Sequence, residues 1–139
     1  MQSFELSIIT LLVALSGAAF SQSTVRIEDN DPGTISYDGS LKSYGNADNG
    51  TAINLTNDPG KRIEWNYNAS ASGSYELRFR YTRKGTMSPL ADISVNGSLV
   101  QQVSFPETAS SAFAVFSMTT TLSSGTNEIV LETVEDKEF

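Results

Sequence analysis

Residues 74–82 (SYELRFRYT) alternate without a break. Tyr75, Leu77, Phe79 and Tyr81 fall on one side of an extended chain, and Glu76, Arg78 and Arg80 on the other, because successive side chains of a strand point to opposite faces. A helical period would scatter those four apolar residues around an axis, so the segment is a strand with one buried face. The same period runs through residues 62–67 and sets Ile63, Trp65 and Tyr67 together. Residues 24–28, 51–55, 112–122 and 127–134 carry further strand patterns. Between them lie turn clusters: DNDPG at 29–33, a polar loop at 41–50, NDPG at 57–60, a loop at 68–73 and SSGT at 123–126. Residues 90–95 and 98–105 flank Asn96-Gly97, the strongest short hairpin signal, because both turn positions need a positive φ. Strands recurring about every 10 residues with turns between them predict an all-β sandwich or barrel.

The N-terminus departs from this pattern. Residues 6–20 (LSIITLLVALSGAAF) form an apolar run interrupted only by Ser and Thr. A membrane-spanning helix needs roughly 20 such residues, so the run fits the core of a secretory signal peptide. Ala19-Phe20-Ser21 matches a small-x-small cleavage pattern, which places the cut before Gln22. A signal peptide at 1–21 and a single domain at 22–139 are therefore expected, with no membrane span after cleavage and an extracellular destination. The n-region MQSFE lacks Lys and Arg, and the alternative reading of the run is a buried N-terminal helix.

The absence of His and Cys removes whole classes of chemistry. There is no Ser-His-Asp triad, no thiol nucleophile, no disulfide and no ordinary zinc or iron–sulfur site. Oxygen ligands remain, which favour calcium or magnesium. A formal net charge of −7 argues against binding a nucleic-acid backbone. Two carboxylates suffice for glycoside hydrolysis, yet no acid pair stands in an apolar setting, and no catalysis is expected. Four Asn-x-Ser/Thr sequons occur, at Asn49, Asn54, Asn68 and Asn96.

Three stretches taken together carry a resemblance. Residues 62–65 (RIEW) are followed by 72–81 (SGSYELRFRY). Then comes 93–97 (ISVNG), and then 105–108 (FPET), 113–116 (FAVF) and 122–129 (LSSGTNEI). In order and spacing, over residues 25 to about 134, the chain resembles carbohydrate-binding modules of families 6 and 35, the galactose-binding-like β-sandwiches. The resemblance implies a jelly-roll-like antiparallel β-sandwich, a monomeric non-catalytic module, and a polysaccharide or oligosaccharide ligand. It also implies a structural Ca2+ held partly by a first-strand acid, here Glu28, and a final strand past Phe139, as expected of the N-terminal part of a larger secreted carbohydrate-active protein. The alternative is a structural or adhesive cell-surface β-sandwich without a sugar site.

Sugar recognition requires an aromatic face for C–H stacking and polar groups for the hydroxyls. By the resemblance, the ring after the Pro-x-Thr segment is Phe113, with Phe116 in the core; on a strand the two fall on opposite faces. A rim packing residue is the ordinary alternative for Phe113. Tyr44, or Tyr37 in its place, is the candidate second ring. Glu64 is a candidate polar contact, against a plain solvated strand carboxylate. Trp65 alternates with Ile63 and belongs to the core. Glu76, Arg78 and Arg80 form an outward stripe, most simply a solvated sheet face and otherwise a second sugar surface. Asp48-Asn49-Gly50 is only faintly like a calcium loop.

Overall fold

The computed structural model describes residues 7–15, 24–27, 35–38, 40–43, 51–54, 60–82, 90–108 and 112–134. Among them the chain runs β1 (Ser7–Leu15), β2 (Thr24–Ile27), β3 (Ile35–Tyr37), β4 (Ser40–Ser43), β5 (Thr51–Asn54), β6 (Arg62–Ala69), β7 (Gly73–Thr82), β8 (Leu90–Val95), β9 (Ser98–Ser104), β10 (Ala114–Leu122) and β11 (Gly125–Thr133). A four-stranded sheet has the order β10-β7-β1-β2, and a five-stranded sheet the order β3-β6-β11-β8-β9. β4 and β5 form a separate pair. Every pairing is antiparallel.

The two large sheets face each other as a β-sandwich, as the alternation requires. Tyr75, Leu77, Phe79 and Tyr81 of β7 are buried, and so are Ile63 and Trp65 of β6 and Ile129 and Leu131 of β11. Trp65 meets Phe79 across the gap with ring centroids 5.6 Å apart. Phe79 stacks on Phe116, and Phe105 packs edge-on against both Tyr81 and Phe116. Fully burying one such side chain contributes about 1.5–3 kcal/mol, so the enclosed Trp65, Phe79 and Phe105 rings are a substantial part of the core that joins the sheets. Trp65 is thus a core residue, 1% exposed. At its edge Tyr67 packs against Tyr75. Burial, and secondarily the neighbouring Tyr75, raises the Tyr67 phenol above its usual pKa.

A polar lock sits at one end of the core. Asn127 is fully buried on the inward face of β11. Its amide donates to the Ser123 and Gly125 carbonyls at 2.8 and 2.9 Å, and its oxygen accepts from the Ser123 amide and from Asn96 Nδ2, both at 3.0 Å. Asn96 in turn exchanges bonds with the Glu128 backbone. One side chain therefore joins the β8–β9 turn to the β10–β11 turn. The β8–β9 turn is the expected hairpin, with φ of 51° at Asn96 and 83° at Gly97.

One segment differs from the sequence reading, and a second differs from one of its two readings. Residues 41–43, read as the start of a polar loop, belong with Ser40 to β4, because pairing with β5 supplies an order that their composition does not signal. Residues 7–15, read as part of a removable leader with a buried helix as the alternative, are not helical. They form β1, paired with β7 on one side and β2 on the other. A strand bracketed on both edges reads as a continuous apolar run, and so does a signal-peptide core, which is why periodicity cannot separate them. Among the described residues no helix is long and apolar enough to cross a membrane.

Candidate carbohydrate-binding site

Phe113 enters β10 at the end of the four-stranded sheet where β7 finishes. Two contacts hold the segment before it. Phe105 is fully buried against Tyr81, and the Thr82 and Thr108 hydroxyls share a hydrogen bond at 3.1 Å. The register Ala114↔Tyr81 and Val115↔Arg80 then fixes the faces. Phe116 turns inward to the core, and Phe113, half-buried, lies with the outward residues.

The Arg80 guanidinium lies over the Phe113 ring, 4.7 Å from its centroid. Such a cation–π pair fixes the ring's orientation and keeps a cation beside it. Arg78 stands two residues back on the same face, ion-paired with Glu76, and in register Ser117 and Thr119 lie opposite Arg78 and Glu76. The outward face thus carries an aromatic ring, two guanidinium groups, a carboxylate and hydroxyls. That is the inventory for stacking a pyranose and hydrogen-bonding its substituents. The strand and the ring were each legible in the sequence. Their contact was not, because it depends on the β7–β10 register.

The other face of the molecule is different in kind. Glu64 lies on the outer side of the five-stranded sheet, in a groove of about 160 Å³ with Ser36, Tyr37, Asp38 and Arg62. Arg62 pairs with Glu132 at 3.4 Å, and the Arg62 amide donates to Asp38 at 3.0 Å. A second groove of about 280 Å³ continues past Asp92, Glu128 and Glu132 to Leu99. Glu64 and Phe113 are therefore on opposite faces of the sandwich and do not build one site. Tyr37, the alternative second ring, packs partly against the core. Tyr44 and Glu28 lie outside the described residues, as does the 48–50 segment. Among the described residues no group of three or more acidic, His or Cys side chains gathers that could hold a metal ion.

No protein-family model matches the chain, and no curated protein matches it by sequence. Solved structures match its fold. A family 35 carbohydrate-binding module from an environmental isolate superposes with a TM-score of 0.71 at 24% identity, covering 78% of this chain and 80% of that one. The fold is that of family 35 carbohydrate-binding modules. A family 35 module from Clostridium thermocellum is 29% identical, with a TM-score of 0.62 over 75% of this chain and 79% of its own. The module Xyl-CBM35, solved in complex with a glucuronic acid containing disaccharide, gives a TM-score of 0.70 at 23% identity, covering 80% of this chain and 83% of that one. These modules share with this chain the antiparallel sandwich on which the Arg80–Phe113 pair is mounted.

Proposed function

We propose that the protein is a non-catalytic carbohydrate-binding module that docks a polysaccharide or oligosaccharide on Phe113. The observation that carries this reading is the Phe113 ring held under Arg80 at the end of the sheet, on the fold of family 35 modules. The ring supplies a stacking face. Arg80 and Arg78 supply donors suited to sugar hydroxyls and, above all, to the carboxylate of a uronic acid, the class of sugar found with Xyl-CBM35. An extracellular role fits such a ligand and the apolar N-terminal run, whose removal before Gln22 is part of the proposal. Calcium is a further part of it. If Glu28 helps to hold an ion, added Ca2+ raises the melting temperature, and Glu28→Gln abolishes that rise.

The direct test is affinity-gel and calorimetric binding against neutral and uronic-acid-bearing glycans. Phe113→Ala is expected to lower affinity about five- to thirtyfold, the loss of roughly 1–2 kcal/mol of ring contact, while leaving the melting temperature within a few degrees. Arg80→Gln is expected to erase the preference for the acidic glycan. Silence of the wild-type protein across all glycans overturns the reading and leaves the adhesive sandwich in its place.

A further inference from the structure

Asn96-Gly97 makes the β8–β9 turn, and the same two residues are a chemically reactive pair. Glycine has no side chain to shield its backbone nitrogen, so that nitrogen can reach the side-chain carbon of the asparagine before it. Water is the only co-reactant needed. The Gly97 nitrogen, having given its proton to hydroxide, forms a bond to Asn96 Cγ. The Cγ–Nδ2 bond breaks, and ammonia leaves with a proton taken from water. The five-membered succinimide so formed takes up water at one of its two carbonyls. The product is aspartate or an isoaspartyl link, and an amide has been exchanged for an acid.

Crowding does not hold this reaction off at Asn96. Both residues are exposed, and a Cβ placed on Gly97 would meet no heavy atom within 4 Å. What holds the side chain away is its bonding to β11. Asn96 Nδ2 donates to Asn127 Oδ1 at 3.0 Å, and Asn96 Oδ1 accepts from the Glu128 amide at 2.8 Å. The Asn96 backbone N–H also donates to the Glu128 carbonyl, at 2.8 Å. Asn127 is itself fully buried and anchored to Ser123 and Gly125, so it cannot follow a moving partner. Swinging Asn96 Cγ onto the Gly97 nitrogen therefore requires both side-chain bonds to break.

We propose that Asn96 is a spontaneous deamidation site, kept unreactive by the clasp of Asn127 and Glu128 while the hairpin is docked on β11. Conversion is confined to molecules whose hairpin has opened, and it is irreversible, so position 96 records opening. The converted residue cannot be clasped as before. A carboxylate has no donor for Asn127 Oδ1 and sets an anionic oxygen against it. An isoaspartyl link adds a backbone atom to a turn built for two residues. A molecule that has opened once and converted opens more readily again. The site belongs to the other sheet from Phe113 and does not rest on the sugar-binding reading.

The test incubates the whole protein in mildly alkaline buffer and follows residue 96 by peptide mapping, with mass detection of the acid and isoaspartyl forms. In the folded protein Asn96 is expected to convert about tenfold more slowly than in denaturant, the effect of two hydrogen bonds that must open first. Asn127→Ala, with folding checked by the enclosure of Trp65, is expected to convert about fivefold faster than the folded wild type. The wild-type chain gives a second readout that needs no variant. In urea too dilute to unfold the core, conversion of Asn96 should rise in step with hydrogen exchange at the Glu128 amide. A folded wild-type rate within about twofold of the denatured rate overturns the proposal. So does a folded Asn127→Ala that converts no faster than wild type, or conversion that stays flat while the Glu128 amide exchanges.

Discussion

The five-stranded sheet joins β8 to β9 by a tight hairpin and ties that hairpin, through Asn96 and Asn127, to the turn between β10 and β11. The four-stranded sheet has no counterpart to that lock among the described residues. Its central β7 is flanked by β10, reached through the segment after β9, and by β1, from the far N-terminus. The outer faces differ in the same sense. The five-stranded sheet shows a polar surface with the Arg62–Glu132 pair, and the four-stranded sheet ends in the Arg80–Phe113 pair. One sheet has its register fixed by local chemistry. The other has its register fixed by its neighbours and carries the aromatic surface. Recognition surfaces are commonly mounted in this way, on a scaffold whose geometry is secured elsewhere.

The contrast can be broken first at Asn127. Asn127→Ala leaves the Ser123 amide, two carbonyls and Asn96 Nδ2 without their partner in a partly buried place, at a cost of about 3 kcal/mol by chemical denaturation. A cost under about 1 kcal/mol would mean that the five-stranded sheet has no special lock. Gly97→Val tests the hairpin. A Cβ added at Gly97 would meet no heavy atom within 4 Å, so only the positive φ is at stake, and about 1–2 kcal/mol is expected. On the other sheet, Thr82→Val removes the hydroxyl contact with Thr108 at a cost of about 1 kcal/mol. Because that contact steadies the approach to Phe113, sugar affinity should fall more than stability does. The smallest effect is alkaline. Tyr67 has a folded pKa above its unfolded value, so the neutral phenol is favoured by the fold. Its contribution is complete below the unfolded pKa near 10 and is lost as pH rises through the folded value. Tyr67→Phe should flatten the fall of the melting temperature in that range.

Much of the sandwich was legible. Residues 62–67 and 74–82 alternate so strictly that β6 and β7 follow within two residues at either end, and Asn96-Gly97 placed the hairpin. β1 was not legible as a strand, because an unbroken apolar run has no period to read. The role of Asn127 could have been found. It shares the inward face with Ile129 and Leu131, and a polar residue there must find partners. The opposite-face logic of Phe113 and Phe116 needed only strand geometry. The cation beside Phe113 needed the register of two strands, and the separation of Glu64 from Phe113 needed the topology of both sheets.

The chain's single tryptophan is enclosed between the sheets at Trp65, against Phe79. This makes its fluorescence a reporter of the interior alone. Emission should be blue-shifted, resistant to aqueous quenchers and strongly altered by unfolding. A glycan seated on the outward Phe113 should leave it nearly unchanged. A flat fluorescence titration would then be the signature of an intact core and not of an empty site, and occupancy has to be followed by heat or by gel retardation.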